Sequence, residues 1–191
     1  AVVLAVPPGP AAVLLEPHAP AAAARLGGMA SASVAMTCLA YREEDVGQPL
    51  DGSGFLVPRR EGRLMTACSW ASSKWPEVAA PGTVVLRVSA GRAGDHRALA
   101  LADDLLAARL HRELVAALGL TGEPVARHVT RWVDAFPQYA PGHADVVTAI
   151  EAGLPAGLEV AGAAYRGVGI PACIGSGRAA ARRAVAGATP T

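Results

Sequence analysis

The feature that most constrains this chain is a glycine-rich turn between an apolar segment and a helix-forming segment. It lies in "EVAGAAYRGVGIPACIGSGRAAARRAV", residues 159 to 185. Gly167, Gly169 and Ala172 satisfy the G-x-G-x-x-G/A pattern of a dinucleotide-binding turn. That fold also needs a further strand and an acidic residue about twenty positions later, yet no Asp or Glu follows Glu159. The turn is therefore not the start of a dinucleotide-binding fold.

The local chemistry of this turn leaves two interpretations open. Pro171 suits the first turn of a helix, and Gly167 and Gly169 leave the backbone bare at the helix entrance. A helix N-terminus attracts anionic groups by about 0.3–1 kcal/mol. The turn is either a cap that closes a domain or a surface that a ligand approaches closely.

Composition excludes several classes of function. The chain has 191 residues with a formal net charge of +1, which argues against nucleic acid as the main partner. No uninterrupted apolar run is long enough to span a membrane. The sparse, odd set of cysteines, Cys38, Cys68 and Cys173, lacks metal-ligand spacing, so we predict no metal site and a reducing, cytoplasmic compartment.

The first residues read as a strand that is already under way. The chain opens at Ala1 in "AVVLAVPP", which predicts a buried strand followed by a Pro-Pro turn. Few intact proteins begin inside a strand, so the expectation is that the chain is a fragment.

The remaining pattern predicts a sheet followed by alternating helices and strands. A helix over about 97–118 is predicted with Asp95 as its cap and Gly119 as its stop, and leucines repeat every fourth residue along it. After it come a strand over 122–136, a short helix, the strand "LEVAG" and a last helix over 170–186. Strand candidates that would form one contiguous sheet are 31–42, 52–58, 63–70 and 83–91.

The sequence offers no self-contained catalytic set. No G-x-S-x-G elbow or P-loop occurs, and the five histidines are scattered, which predicts surface or capping roles. Asp103 and Asp104 are adjacent on a helix, so their side chains diverge and cannot form an acid/base pair. We predict no catalytic side chain, a pattern typical of enzymes in which an organic cofactor does the chemistry.

Several motifs together resemble a known family. They closely resemble, in order and over nearly the whole chain, the C-terminal half of bacterial protoporphyrinogen/coproporphyrinogen oxidases of the Gram-positive type, in the FAD-dependent amine oxidase superfamily. The motifs are "GSGFLVP", "SSKWP", "RVSAGRAGD", "RWVDAFPQYAPGH" and "AGAAYRGVGIPACIGSGRAA".

The resemblance implies a reaction and its participants. In that family FAD takes a hydride from a porphyrinogen and oxygen reoxidises the flavin to give hydrogen peroxide; three rounds yield the porphyrin of heme synthesis. Either coproporphyrinogen III or protoporphyrinogen IX would be the substrate. The implied partners are the porphyrinogen and oxygen, with no nucleic acid and no transmembrane segment, and peripheral membrane association stays open.

The resemblance also implies site residues. The family binds FAD with an N-terminal G-x-G-x-x-G domain and with the terminal strand–turn–helix, so Val168, Gly169 and Ile170 are expected to face the flavin and Trp132 to lie near it. Without the resemblance, Trp132 reads as a core or interface aromatic. Because the implied pyrophosphate-binding glycines are absent from this sequence, the chain alone is expected to bind FAD poorly and to be inactive. Lys74 and Arg42 are possible partners for substrate propionates, by their charge and their location in the presumed substrate sheet, although surface solvation explains both equally well.

The implied fold is α/β with α+β character: a partial FAD/NAD(P)-binding domain interleaved with a mixed-sheet substrate domain. Residues 1–30 and 122–191 are assigned to the FAD-binding domain and 31–121 to the substrate-binding domain. Two alternatives remain: a non-catalytic truncated product that acts as a binding or interaction domain, and a related flavin amine oxidase or desaturase.

Overall fold

The structure, a computed structural model, describes residues 1–187 and divides into two compact units. The first unit contains Ala1–Ala32 and the chain from Asp134 onward, and the second contains Ser33–Val133. In chain order the elements are β1 (Val2–Leu4), α1 (Pro8–Leu15), α2 (Pro20–Gly27), β2 (Ser31–Arg42), β3 (Gly54–Leu56), β4 (Met65–Trp70), α3 (Ala71–Lys74), β5 (Thr83–Ala90), α4 (Asp103–Leu118), β6 (Ala126–Pro137), α5 (His143–Ala152), β7 (Leu158–Val160) and α6 (Ile170–Gly187).

The first unit combines a short parallel sheet with four helices. Strands β1 and β7 pair in parallel, with Val3 opposite Glu159. Helices α1 and α2 both begin with a proline, whose fixed φ suits the first helical position. Their buried faces pack with α5 around a core that contains Leu15, Leu26 and Ile150.

One expectation for this unit is wrong. The opening strand is predicted to be buried, but Val2 is 55% exposed and Val3 is 37% exposed. The strand pairs on one side with β7 and contributes only Leu4 to the apolar core, as a partly buried residue. The apolar run predicts the strand correctly, whereas its burial depends on neighbours that the run does not encode.

The second unit is a five-stranded sheet covered on one face by α4. The strand order is β3-β4-β5-β2-β6, and the pairs β3–β4, β4–β5 and β5–β2 are antiparallel. Leu39 and Leu86 face each other on neighbouring strands and pack against the helix. The predicted contiguous sheet and the predicted leucine stripe are both confirmed, and the stripe is formed by Leu106, Leu110, Leu114 and Leu118.

The start of α4 differs from the prediction. The helix begins at Asp103 and not near residue 97, and Asp95 does not cap it. The carboxylate of Asp95 instead accepts hydrogen bonds from the backbone and the guanidinium of Arg97, which fixes a turn before the helix. The helix ends at Gly119 with φ 66°, the left-handed conformation expected of a C-terminal glycine.

The structure confirms a mixed α/β fold with one parallel and one largely antiparallel sheet. Strand β6 crosses the boundary between the units at Val133 and Asp134, downstream of the residue 122 at which the sequence places the return to the cofactor domain. The cofactor and substrate roles of these segments remain predictions. Within residues 1–187, no helix has the length and apolar character to cross a bilayer.

Candidate functional site

The glycine turn leads from β7 into α6, and its shape depends on glycine at position 167. Gly167 has φ 131°, a conformation that side chains with a Cβ rarely adopt. A Cβ there would also lie 2.7 Å from the Cβ of Ala172. Gly169 is different, because a Cβ at this position would meet only the Cδ of Pro171, at 3.8 Å. Gly167 is thus required by the fold, whereas Gly169 keeps the outer surface of the turn bare.

A tyrosine and a histidine from the preceding segment hold this turn in place. The Tyr139 hydroxyl donates to the carbonyl oxygen of Ala163 at 2.6 Å and accepts from the backbone N–H of Gly167 at 2.8 Å. The Tyr139 ring stacks on the His143 ring with centroids 3.7 Å apart. Nε2 of His143 lies 2.9 Å from the carbonyl oxygen of Tyr165 and therefore donates to it. Three backbone groups of the turn are fixed by two stacked side chains.

Ion pairs fix the flanks of the same turn. Arg166 forms a salt bridge with Glu151 of α5, and this contact raises the pKa of the Arg166 guanidinium. Nε of Arg183 on α6 donates to the Glu159 carboxylate of β7 at 2.8 Å. The hydroxyl of Ser176 accepts from the backbone N–H of Gly162 at 3.1 Å. The turn is therefore tied to α5, β7 and α6 by side chains that lie outside its exposed surface.

The exposed surface of the turn is apolar and leads into the first N–H groups of α6, which lack an intrahelical partner. Val168 is 43% exposed and Ile170 is 77% exposed. The backbone N–H of Cys173 donates to the carbonyl oxygen of Gly169 at 3.0 Å and begins the hydrogen-bond ladder of α6. Pro171 has no N–H, and the N–H groups before Cys173 lie at the entrance of the helix. A flat aromatic group carrying anionic or acceptor atoms fits such a surface, because the apolar side chains can cover a ring while the N–H groups face its acceptors.

The fourth predicted site residue, Trp132, lies in the other unit. On β6, Val129 packs against the α4 core, and Arg131 donates to the carbonyl oxygen of Leu101. Side chains alternate along a strand, so Trp132 lies on the sheet face opposite α4, where it is 55% exposed. The interpretation of Trp132 as a core aromatic is thereby excluded. Val168, Gly169 and Ile170 are contiguous in the first unit, and Trp132 belongs to the second.

The sequence analysis missed two residues of the site. Tyr139 and His143 lie in the motif "PQYAPGH", which contributed only to the family resemblance. A tyrosine and a histidine four residues apart, just before a helix, offer a hydroxyl and a ring N–H close together in space, and that spacing was the available signal.

The expectation that every histidine has a surface or capping role is wrong for His111. It is buried on α4, with Nδ1 at 3.1 Å from the Tyr41 hydroxyl and Nε2 at 3.3 Å from the exposed Glu123 carboxylate. Burial raises the pKa of the Tyr41 hydroxyl, so this group stays neutral. His111 lies four residues after Ala107 and three before Leu114, within the apolar stripe. The cluster gives the buried His111 ring a partner at each nitrogen.

Comparison with known proteins gives consistent similarities. The family described as "Flavin containing amine oxidoreductase" matches residues 1–185. Coproporphyrinogen III oxidase of Mycobacterium tuberculosis is 42% identical over 94% of this chain, and that of Bacillus subtilis is 36% identical over 83%. The chain spans 39% and 34% of the lengths of these two relatives.

Solved structures give the same picture. A putative protoporphyrinogen oxidase from Exiguobacterium aligns over 93% of this chain with a TM-score of 0.78 and 32% identity, and the chain covers 39% of it. An oxidoreductase from Methanosarcina mazei aligns over 95% with a TM-score of 0.61 and 17% identity, a likeness of fold alone.

Proposed function

The chain belongs to the flavin-containing amine oxidoreductase family, and on that premise we propose that it forms part of an FAD-dependent porphyrinogen oxidase. The proposed reaction is the oxidation of coproporphyrinogen III to coproporphyrin III, or of protoporphyrinogen IX to protoporphyrin IX, in heme synthesis. The names of the curated relatives support the coproporphyrinogen reaction. The chain spans 39% and 34% of the lengths of those two relatives, so the whole activity is proposed for a protein that contains this segment.

The observation that carries the proposal is the bare, pre-shaped turn at Val168, Gly169 and Ile170. Its backbone is fixed by the side chains of Tyr139 and His143, and its outer surface is apolar. A pre-organised surface of this kind binds a rigid cofactor without a large ordering cost. A bound flavin supplies the hydride acceptor that porphyrinogen oxidation needs.

Each residue of the turn has a distinct proposed role. The side chains of Val168 and Ile170 pack against the flavin ring system and exclude water from it. The missing side chain of Gly169 allows the ring to approach the backbone, and the free N–H groups at the start of α6 face its acceptor atoms. Trp132 belongs to the second unit, and its place near the cofactor stays a prediction from the family resemblance. Tyr139 and His143 act as positioning residues, because their contacts are with the turn itself.

Oxygen as the final acceptor and a cytoplasmic location are also part of the proposal. The three cysteines are free thiols, which suits a reducing compartment. The isolated chain is expected to bind FAD weakly, because the proposed contacts cover one side of the cofactor.

A segment exchange tests the proposal directly. Residues 1–185 replace the matching segment of the Mycobacterium tuberculosis relative, and the purified hybrid is assayed for bound FAD by its visible spectrum and for coproporphyrinogen oxidation by porphyrin fluorescence. We expect flavin to be retained and porphyrin to form. An Ile170→Asp hybrid should lose flavin, while a Val13→Asp hybrid, altered at a surface site that is 71% exposed, should keep it.

The hybrid also separates the alternatives. Retained flavin with oxidation of an amine or a polyene, and not of a porphyrinogen, would favour a related amine oxidase or desaturase. A correctly folded hybrid that never retains flavin would overturn the proposal and favour a non-catalytic binding domain.

A further inference from the structure

The open face of the second unit's sheet, the face opposite α4, carries a polar row across three strands. Ser69 of β4 pairs with Arg87 of β5, and Arg87 pairs with Cys38 of β2. The neighbours Leu86 and Leu39 are buried against α4. Strand alternation therefore directs Arg87 and Cys38 to the open face.

Two cations meet one tryptophan at this row. The guanidinium carbon of Arg87 and the Nζ atom of Lys74 each lie 5.8 Å from the centroid of the Trp75 ring, within cation–π range. Nζ of Lys74 also donates to the Ser69 hydroxyl at 2.9 Å. The Arg87 guanidinium has no hydrogen bond or salt bridge to any residue in the described range 1–187. Its five N–H donors are therefore directed to solvent or to a ligand.

Two of these residues, Trp75 and Arg87, border a cavity of about 390 Å³. Its floor is formed by Cys38, Ala40 and Val85 of the sheet, and its wall by Ala71 and Val78 beside Trp75. The segment that carries Trp75 is fixed to β5, because the Ser72 hydroxyl accepts from the backbone N–H of Val85 at 3.1 Å. This hydrogen bond ties the wall of the cavity to its floor.

Charge around the cavity has one sign. Arg87, Arg127 and His128 line it, and no Asp or Glu is among its lining residues. Arg127 is already paired with Asp104 at 3.0 Å, so among the described residues Arg87 is the lining arginine without a salt bridge. The positive charges of Arg87 and Lys74 repel each other across the Trp75 ring, and a bound anion would offset that repulsion. The cavity is therefore complementary to an apolar ligand that carries carboxylates.

We propose that this cavity, the Trp75 pocket, binds one propionate-bearing edge of the porphyrinogen substrate. Arg87 pairs with a propionate in the bidentate geometry that a guanidinium offers, Lys74 adds a second positive charge, and the apolar floor and Trp75 contact a pyrrole ring. This inference rests on the proposed function.

The test is a fluorescence titration of the full chain with coproporphyrin III, the stable oxidised form with four propionates. Arg87→Gln should weaken binding about tenfold, as expected for the loss of a charge-assisted hydrogen bond. Arg87→Lys should be intermediate, because it keeps the charge and loses the bidentate geometry. Arg60→Gln is the matched control, since Arg60 is exposed, lies outside the pocket and has its salt bridge with Glu61. Far-UV circular dichroism checks that each variant is folded.

Neutral and membrane ligands complete the experiment. The tetramethyl ester of coproporphyrin III should bind more weakly than the free acid and should be insensitive to Arg87→Gln. Equal binding of coproporphyrin III by the Arg87→Gln and Arg60→Gln variants would overturn the inference, as would no binding to the wild-type chain. The wild-type chain and the Arg87→Gln variant are also tested for binding to phosphatidylserine vesicles. If Arg87→Gln abolishes vesicle binding and leaves porphyrin binding unchanged, the inference is overturned in favour of a membrane contact.

The outcomes distinguish this inference from the proposed function. A hybrid enzyme that oxidises coproporphyrinogen with the same KM with and without Arg87→Gln would overturn the pocket assignment alone. An inactive wild-type hybrid, together with an Arg87-dependent affinity for coproporphyrin III, would overturn the proposed function and support the carboxylate pocket.

Discussion

The hydroxyl of Tyr139 lies 2.8 Å from the backbone nitrogen of Gly167, from which it accepts a hydrogen bond. The same hydroxyl donates to the carbonyl oxygen of Ala163 at 2.6 Å, so one oxygen atom bridges both ends of the glycine turn. Residue 167 has φ 131°, a conformation that glycine adopts freely among several others. The hydrogen-bond bridge therefore restricts a backbone that glycine alone would leave flexible.

Replacement of Tyr139 by Phe removes both hydrogen bonds and keeps the ring that stacks on His143. We expect hydrogen exchange of the Gly167 amide to become about fivefold faster, which corresponds to a loss of about 1 kcal/mol. Exchange mass spectrometry of the chain without cofactor measures this effect. Unchanged exchange at Gly167 would contradict the bridging role.

Tyr165→Phe is the matched control for that substitution. The Tyr165 hydroxyl is buried in the same unit and has no hydrogen-bond partner within the described part of the chain. Burial raises its pKa to about 12, so the group is neutral. Since its removal breaks no hydrogen bond, we expect a free energy of unfolding equal to that of the wild type or slightly higher.

Alanine at position 167 should lower the stability of the first unit, whereas alanine at position 169 should lower the affinity for flavin. Gly167→Ala should destabilise the first unit by about 1–3 kcal/mol, because it combines an unfavourable φ with a contact at 2.7 Å. Gly169→Ala should change stability by less than about 0.5 kcal/mol, since its Cβ meets ordinary contact distances. In the hybrid enzyme, Gly169→Ala should nevertheless weaken flavin binding about tenfold. Urea unfolding and flavin titration measure the two effects; unchanged flavin affinity would contradict the role of Gly169.

Glu113 should be among the important polar residues for the stability of the second unit. From α4, its carboxylate accepts hydrogen bonds from the backbone N–H groups of Leu64 and Met65, both at 2.9 Å. Glu113→Ala leaves both donors without this acceptor and should cost about 2–3 kcal/mol. Glu113→Gln, which keeps one carbonyl acceptor, should cost about half as much. Glu61→Ala is the control, because Glu61 is exposed and has only a long salt bridge to Arg60. Its urea unfolding midpoint should equal that of the wild type.

The Asp95–Arg97 pair should give stability a specific dependence on acid pH. Hydrogen bonds from Arg97 lower the pKa of the Asp95 carboxyl to about 2. Because the unfolded chain binds this proton more readily, the contribution is complete above about pH 4–5 and is lost as pH falls through about 2. The pair is partly exposed, so the effect should be below about 1 kcal/mol. The stability difference between wild type and Asp95→Asn should shrink over this range, and a difference that stays constant from pH 5 to pH 2 would refute the assignment.

The helices and strands that depend on the spacing of apolar residues could be predicted from the sequence. The leucine repeat of α4, its stop at Gly119 and the strands of the sheet follow from spacing alone, because burial of one face requires that spacing. The position of Asp95 failed as a predictor of the helix start. A carboxylate can cap a helix or pair with a guanidinium. In the folded chain the guanidinium of Arg97 binds the Asp95 carboxylate, so Asp95 does not cap α4.

The sequence alone determined most of the helices and strands of this protein and the glycine turn between β7 and α6. These properties are local: they depend on the spacing of apolar residues and on backbone conformations that only glycine adopts freely. Tertiary structure decided which side chains hold that turn, how deeply His111 is buried, and that Lys74 and Arg87 share the ring of Trp75. Those contacts join residues that are distant in sequence or on different elements, so they exist only once the chain has folded.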